Sequence, residues 1–265
     1  MRVFFRTLGC PKNTADSGRL IGFLSRYGIS PADSETAADA VVINTCSFIR
    51  TATEESLSEI FAAVKLNRRI IVTGCLPARY GAELKRRIPE VEAFVPITDL
   101  ERFPEVLLGR KTRPSRTEGH LPVLTAASTC YVKISEGCDR RCSFCVIPSI
   151  RGRQVSRPAA EIETEVRRRA ESGVREIVLV GQDLTAYGRD TGSGLQPLLE
   201  RLLKVRGDFV FRLLYLYPPD LTSRLIDFIL AAERICPYFD IPFQHSSRKI
   251  LAAMRRSFDS RKLLG

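Results

Sequence analysis

The sequence alternates short apolar runs rich in β-branched residues with stretches whose apolar residues recur at helical spacing. In the first half, "RVFFRT", "AVVINT" and "RIIVTG" predict strands, and "DSGRLIGFLSRYG" and "TEESLSEIFAAVKLN" predict helices. The first helix is expected to begin near Asp16 or Ser17, either of which could cap it. Because strands that are apolar throughout must be covered on both faces, the alternation predicts an α/β fold with parallel sheets.

A second alternating series follows in the other half of the chain. The strands "CYVKIS", "EIVLVG", "FVFRLLYLY" and "YFDIPF" each precede a helical pattern, which suggests a (β/α) barrel or part of one. Between the two series, "LLGRKTRPSRTEGHLP" is polar, basic and without apolar period, so it is the expected linker. We therefore predict an N-terminal α/β domain over residues 1–110, a linker over 111–125 that contains a solvated His120, and a barrel domain over 126–265.

Composition limits the class of protein. No run approaches the roughly eighteen apolar residues of a membrane span, and "MRVFFRTLGC" lacks the pattern of a signal peptide, so we expect a cytoplasmic protein. In a reducing compartment, eight cysteines indicate metal ligands or redox groups rather than a disulfide framework. The net charge of +11 would attract a polyanion such as RNA or a ribosome, although many arginines fall in mixed-sign helical patterns.

Three cysteines of the first half, Cys10, Cys46 and Cys75, each follow a predicted strand. We call them the first triad. Open α/β sheets bind ligands at the carboxyl ends of their strands, so these thiols are expected to converge. Each cysteine alone could be a small buried residue. Their occurrence at three equivalent strand ends favours a shared site.

The stretch "CDRRCSFC" holds a second triad, Cys138, Cys142 and Cys145, after the first strand of the second series. A zinc ribbon would need another ligand pair about fifteen residues further on, where the sequence has neither cysteine nor histidine. The four-cysteine run of a bacterial ferredoxin would need a fourth ligand. Three thiolates on a four-iron cluster would leave one iron open to a small molecule. A structural zinc ion or an unrelated cluster is the alternative.

The spacing Cys-x-x-x-Cys-x-x-Cys, with Phe144 before the last cysteine, resembles the signature of the radical S-adenosylmethionine (SAM) superfamily. Together with "TLGCPKN", "INTCSF" and "VTGCLP", it makes the chain similar over nearly its whole length to the methylthiotransferases of that superfamily. The resemblance implies an N-terminal parallel-sheet α/β methylthiotransferase domain followed by a radical-SAM (β/α) barrel. It also implies replacement of an unreactive C–H bond by C–S–CH3.

Two branches of that family differ in substrate. The motifs "GCPKNTADS", "VGQDLTAYG", "LLYLYPPDL" and "DIPFQHSS" are similar to the branch that modifies an aspartate β-carbon in the twelfth protein of the small ribosomal subunit. The alternative branch modifies a tRNA adenosine and typically has Gln-Met-Asn and Gln-Asn-Val-Asn at the corresponding places. Charge does not separate them, since ribosomes and tRNA are both polyanions.

The resemblance assigns roles residue by residue. The first triad would bind an auxiliary [4Fe–4S] cluster and the second triad the radical-SAM cluster. Phe144 would lie beside the adenine of SAM, and Gly181 and Gln182 near its methionyl amino group. Four side chains near other strand ends could line a substrate pocket or serve only the fold: Tyr187, Tyr215, Tyr217 and His245. Two cysteines match no ligand position and are expected to be buried small residues: Cys130 and Cys236.

The resemblance further implies two uses of SAM. One molecule methylates a sulfur carried on the auxiliary cluster, and a second is cleaved reductively to a radical that removes hydrogen from the aspartate β-carbon. The implied partners are the ribosomal protein or the ribosome and an electron donor such as flavodoxin or ferredoxin, with the enzyme a monomer. Family members continue with two further barrel strands and a C-terminal β-barrel, so the barrel here is expected to be incomplete. A cluster-binding fragment without turnover, or half of a split enzyme, is therefore the alternative function.

Overall fold

Parallel strands form the sheet of the N-terminal part of the chain in this computed structural model, which describes residues 1–114 and 128–256. The five strands lie in the order β2-β1-β3-β4-β5, and all neighbouring pairs are parallel. Their bounds are β1 Arg2–Thr7, β2 Ser30–Pro31, β3 Ala40–Thr45, β4 Arg69–Gly74 and β5 Ala93–Phe94. Strand β3 lies at the centre of the sheet and is buried over its whole length, as its apolar sequence predicts.

Four helices cover this sheet, two on each face: α1 Pro11–Ser25, α2 Arg50–Val64, α3 Cys75–Arg87 and α4 Arg102–Leu108. Leu20 of α1 and Phe103 of α4 share one core cluster with Val42 of β3. Ile60 of α2 and Leu76 of α3 lie in the other core cluster, with the neighbouring β3 residues. Successive side chains of a strand point to opposite faces, so β3 contributes to both cores.

The start of α1 differs from the predicted one. The helix begins at Pro11, with Cys10 as its extended N-cap residue, and Asp16 and Ser17 lie buried within it. Proline is favoured at the first helical position because its fixed φ suits the helix and its missing N–H needs no partner there. The first cysteine therefore lies directly at a helix N-terminus.

The second part of the chain contains a four-stranded parallel sheet in the order β6-β9-β10-β11. A separate antiparallel pair, β7 and β8, lies between β6 and β9 along the chain. The strands of this part are β6 Thr129–Lys133, β7 Ser135–Glu136, β8 Val155–Ser156, β9 Glu176–Val180, β10 Val210–Leu213 and β11 Ile235–Phe239. Its helices are α5 Ile147–Arg151, α6 Ala159–Glu171, α7 Leu195–Leu202, α8 Ser223–Ala231 and α9 Arg248–Ala253. Consecutive parallel strands joined by helices are the pattern of a partial (β/α) barrel, which confirms the predicted fold class.

The chain forms two compact units, residues 1–124 and 125–265. The predicted domain bounds stay predictions. Most of the predicted linker, with His120, lies outside the described residues. No helix in the two described ranges is both long enough and apolar enough to cross a bilayer.

Candidate functional site

The first triad lies at the carboxyl ends of three adjacent strands. Cys10 is the N-cap residue of α1 shortly after β1, Cys46 follows β3 directly, and Cys75 is the first residue of α3 after β4. Strands β1, β3 and β4 are consecutive neighbours in the sheet. The three cysteines therefore emerge side by side at one edge. Cys46 and Cys75 are buried, and Cys10 is half-buried.

Two glycines allow the three cysteine loops to lie against one another. A Cβ on Gly9, whose φ is +86°, would lie 2.5 Å from Cys46 Cβ and 2.9 Å from its Sγ. A Cβ on Gly74, whose φ is +93°, would lie 2.3 Å from the carbonyl oxygen of Thr45. Each glycine precedes a cysteine, so both the close approach and the left-handed backbone require glycine at these positions.

A buried polar network joins the same loops. The Asn13 Nδ2 donates to the carbonyl oxygens of Leu8 at 2.8 Å and Thr45 at 3.0 Å. The Asn44 Nδ2 in turn donates to the Asn13 carbonyl oxygen at 2.9 Å. Both asparagines are almost completely buried. The sequence motifs "GCPKN" and "INTC" contain these asparagines, but the pattern alone assigned them no role.

The side chain of Ser56 holds the backbone of Cys46 in place. Ser56 of α2 accepts a hydrogen bond from the Cys46 amide at 3.0 Å and donates its hydroxyl to the Cys46 carbonyl at 2.8 Å. Ser56 is fully buried, so water cannot replace either bond. The backbone of the middle cysteine is consequently held on both sides.

The second triad lies in the loop between β7 and α5, and the glycine before it determines the loop's shape. Gly137 has φ +76°, and a Cβ there would lie 1.9 Å from the carbonyl oxygen of Arg153. The Cys138 amide donates to the Gly152 carbonyl at 3.1 Å, which ties the start of the loop to the end of α5. Cys138 is buried, whereas Cys142 and Cys145 are half-buried.

Each sulfur of the second triad accepts a hydrogen bond from an N–H group. Cys138 Sγ accepts from the Arg140 amide at 3.4 Å, and Cys145 Sγ accepts from the Ile147 amide at 3.5 Å. Cys142 Sγ accepts from Arg256 Nη1 at 3.7 Å. Donors directed at sulfur favour the charged thiolate form over the thiol.

Burial acts in the opposite direction on Cys138. It raises the pKa of this thiol to about 11, while the hydrogen bond from the Arg140 amide lowers that pKa to a smaller extent. The thiol is thus protonated at neutral pH unless a cation binds it, and binding a metal would release this proton. Among the described residues, no three cysteine, histidine, aspartate or glutamate side chains approach closely enough to share a single metal ion.

Glu136 connects the second triad with the predicted cofactor residues. Gln182 Nε2 donates to Glu136 Oε1 at 2.7 Å, and buried Lys133 and Arg151 approach the other carboxylate oxygen at 2.5 Å and 3.5 Å. A Cβ on Gly181 would lie 2.7 Å from Ser135 Oγ, so the two strand ends are in close contact. Sequence reasoning missed Glu136, although "ISEGC" places it two residues before the first cysteine of the triad.

Two polar atoms in this region are suited to an added ligand. Ser135 Oγ and Gln182 Oε1 are buried and have no hydrogen-bond partner among the described residues. A buried acceptor without a partner costs free energy, which a bound polar ligand could recover. The ring of Phe144, between Cys142 and Cys145, is 47% exposed and accessible to such a ligand.

The four candidate pocket residues differ in their surroundings. Tyr187 is buried and donates its hydroxyl to the Arg157 carbonyl at 2.9 Å, which is a structural contact. The Tyr217 ring contacts two guanidinium groups, those of Arg140 and Arg256. Tyr215 has φ 64°, and its amide donates to Asp240 Oδ2 at 3.0 Å. His245 is exposed, and its Nδ1 accepts from the Ser247 amide at 2.9 Å.

The two cysteines without a predicted ligand role lie within strands. Cys130 is buried in β6, and this burial raises its pKa to about 12. Cys236 is half-buried in β11, so the expectation that it is buried is only partly met.

Comparison with known proteins identifies the family to which the chain belongs. Residues 2–96 match the model described as Uncharacterized protein family UPF0004, and residues 132–264 match that of the Radical SAM superfamily. The chain belongs to the radical SAM superfamily. The resemblance to the radical SAM superfamily, predicted from the second triad, is thus confirmed.

Curated relatives of this superfamily member include the ribosomal protein uS12 methylthiotransferases RimO of several bacteria. That of Thermodesulfovibrio yellowstonii is 44% identical over 254 residues, a match that covers 94% of this chain and 60% of the relative. That of Aquifex aeolicus is 42% identical and covers 98% of this chain and 60% of the relative. The chain therefore spans about 60% of the length of these curated relatives.

Solved structures of the radical SAM methyltransferase TsrM from Kitasatospora setae have a similar fold. The form with cobalamin and a [4Fe–4S] cluster matches with a TM-score of 0.65 at 12% identity, over 98% of this chain and 65% of that one. The form with tryptophan and a SAM analogue gives a TM-score of 0.67 at 13% identity, over 98% of this chain and 63% of that one. At this identity the likeness concerns the fold.

Proposed function

We propose that this chain carries the cluster-binding part of a methylthiotransferase that modifies the aspartate β-carbon of ribosomal protein uS12, with two [4Fe–4S] clusters and SAM as cofactors. The observation that carries the proposal is the pair of cysteine triads, the first at the carboxyl ends of parallel strands and the second in the loop between β7 and α5. Similarity to curated uS12 methylthiotransferases over nearly the whole chain supports this substrate over tRNA.

The first triad would hold the auxiliary cluster. Cys10 and Cys75 lie at the N-termini of α1 and α3, where the helix dipoles favour a negatively charged group. The glycines before them bring their loops against the Cys46 loop, and the Asn13 side chain ties two of these loops together. The residues present therefore suit a group that three thiolates bind from one side.

The second triad would hold the cluster that binds SAM. Its three sulfurs each accept an N–H hydrogen bond, which stabilises the thiolates that iron requires. Phe144 would contact the adenine through its exposed ring. Gly181 leaves room at the strand end, and Gln182 and Ser135 offer unpaired acceptors to an ammonium group.

When bound, these cofactors supply the one-electron chemistry that an unactivated C–H bond requires. The chain's own contribution is to orient the thiolates and to present a polar strand end to the cofactor. Glu136, held by two buried cations, accepts a hydrogen bond from Gln182 Nε2 and thereby fixes the Gln182 amide at this edge. The net charge of +11 favours association with the ribosome, and a cytoplasmic flavodoxin or ferredoxin would be the electron donor.

The length of the match supports one alternative. Since the chain spans about 60% of its curated relatives, it could bind both clusters and yet depend on a further segment for turnover. In that case experiments would detect cluster binding by this chain without catalysis.

Anaerobic reconstitution tests the cofactor part of the proposal. We expect about eight irons per chain and about four after alanine replacement of either triad, since each [4Fe–4S] cluster holds four. Cys130→Ala and Cys236→Ala serve as matched controls and should leave the iron content unchanged. A chain that binds only zinc, or no metal, would contradict the proposal.

Incubation of the loaded protein with SAM, dithionite and uS12 tests the reaction. Release of deoxyadenosine and a methylthio group on the uS12 aspartate, detected by mass spectrometry, are the expected products. Full iron loading without deoxyadenosine would support the binding-only alternative, and a methylthio group on tRNA alone would refute the choice of substrate.

A further inference from the structure

A buried arginine at the end of α9 contacts the second triad. Arg256 is 5% exposed, and its two terminal nitrogens donate in different directions. Nη1 donates to Cys142 Sγ at 3.7 Å, and Nη2 donates to the carbonyl oxygen of Pro242 at 2.6 Å. This fork fixes the guanidinium plane beside a cysteine that is assigned as a cluster ligand.

The C-terminal cap of α9 explains how Arg256 reaches this position. Arg255 has φ 54°, in the left-handed region, and the Arg256 amide donates to the Leu251 carbonyl at 2.8 Å. This backbone hydrogen bond closes a six-residue turn that contains the left-handed Arg255. The arrangement is a Schellman cap, which reverses the chain at a helix end. The reversal turns the Arg256 side chain back towards the cysteine loop.

The cysteine loop is also bonded directly to the end of α9. The Ser143 amide donates to the Met254 carbonyl at 3.0 Å, and the Ser143 hydroxyl donates to the Ala253 carbonyl at 3.0 Å. Ser143 follows Cys142 in the chain. Three hydrogen bonds, including that of Arg256, therefore connect the helix end with two successive residues of the loop.

An aromatic ring also contacts the Arg256 guanidinium. The Cζ of Arg256 lies 4.7 Å from the centroid of the Tyr217 ring, and that of Arg140 lies 3.9 Å from the same centroid. Asp183 and Asp220 hold Arg140 in turn, with Arg140 Nε 2.8 Å from Asp183 Oδ2. The ring attracts both cations and so helps to orient Arg256 before any cluster binds.

We infer that Arg256 is a positioning residue that raises the reduction potential of the cluster on the second triad. This inference rests on the proposed function. A reduced cluster carries one more negative charge than an oxidised one, and a buried positive charge that donates to a ligand sulfur stabilises the reduced form more. The electron comes from a one-electron donor, dithionite in the test, and no covalent bond of Arg256 changes.

The test uses the full chain with the first triad replaced by alanine, so that only one cluster is measured. We expect that Arg256→Gln binds the same iron but has a reduced-to-oxidised ratio about tenfold lower at the midpoint potential of the parent chain. For a one-electron couple, tenfold corresponds to about 59 mV towards negative potential. Arg255→Gln removes the same charge from the exposed neighbouring residue and should leave the potential unchanged. Titration monitored by electron paramagnetic resonance gives both values.

The outcomes distinguish this inference from the proposed function. Equal potentials in Arg256→Gln and the parent, with equal iron, would overturn the inference, as would an equal shift in Arg255→Gln. Should Arg256→Gln lose its iron, Arg256→Met carries the test, because methionine also removes the charge but leaves no polar group to be paired in the buried site. A lower potential in Arg256→Met supports the inference and an unchanged one refutes it. Absence of iron from the parent chain would instead contradict the proposed function.

Discussion

Replacing Asn13 with alanine removes the amide that ties the first two cysteine loops together. Its Nδ2 donates to the carbonyl oxygens of Leu8 and Thr45, and the side chain is completely buried. A hydrogen bond contributes about 1 kcal/mol net, and a buried acceptor left without its donor adds a further penalty. We therefore expect Asn13→Ala to lower the free energy of unfolding by about 2–4 kcal/mol.

Urea unfolding followed by circular dichroism measures this change. An unchanged slope of the free energy of unfolding against urea concentration shows that variant and parent expose the same surface on unfolding. Thr14→Ala alters the next residue of α1, which is only half-buried, and is expected to cost less than about 1 kcal/mol. After reconstitution, Asn13→Ala should lose iron from the first triad and retain it on the second. A free energy of unfolding within about 0.5 kcal/mol of the parent, with full iron, would refute the reasoning.

Three further predictions concern the second unit. Gly137→Ala should abolish iron binding at the second triad, because its Cβ would lie 1.9 Å from a carbonyl oxygen, whereas Gly173→Ala, at a similar φ but with open space around it, should retain the iron. Glu136→Gln should destabilise the chain by about 3 kcal/mol in urea unfolding, since it leaves two buried cations without this carboxylate; an unchanged midpoint would contradict that role. In the metal-free native protein at pH 8, iodoacetamide should label the half-buried Cys236 and leave Cys130 unmodified, because burial raises the pKa of the Cys130 thiol to about 12. Mass spectrometry measures the labelling, and rapid modification of Cys130 would contradict its burial in the native protein. Because the Cys130 thiol ionises near 9.0 in an unfolded chain, its contribution to stability is complete below that pH and is lost as the pH rises towards 12.

The architecture was predictable because it depends on local periodicity. Apolar strands alternating with amphipathic helices admit few arrangements, and the covered parallel sheet and the partial barrel both follow from that pattern. The strand-end positions of Cys10, Cys46 and Cys75 follow as well, since a residue just after a strand must lie at the sheet's carboxyl edge. The start of α1 was placed too late because the helical pattern alone gave no weight to Pro11.

The sequence by itself determined where the two cysteine triads lie relative to the strands, because cysteine spacing and strand ends are local properties of the chain. Only the tertiary structure decided which side chains support them. Arg256 donates to Cys142 across 114 residues, and Gln182 donates to Glu136 across 46. No periodicity connects such distant positions; folding brings them together, and burial then makes each hydrogen bond too costly to leave unpaired.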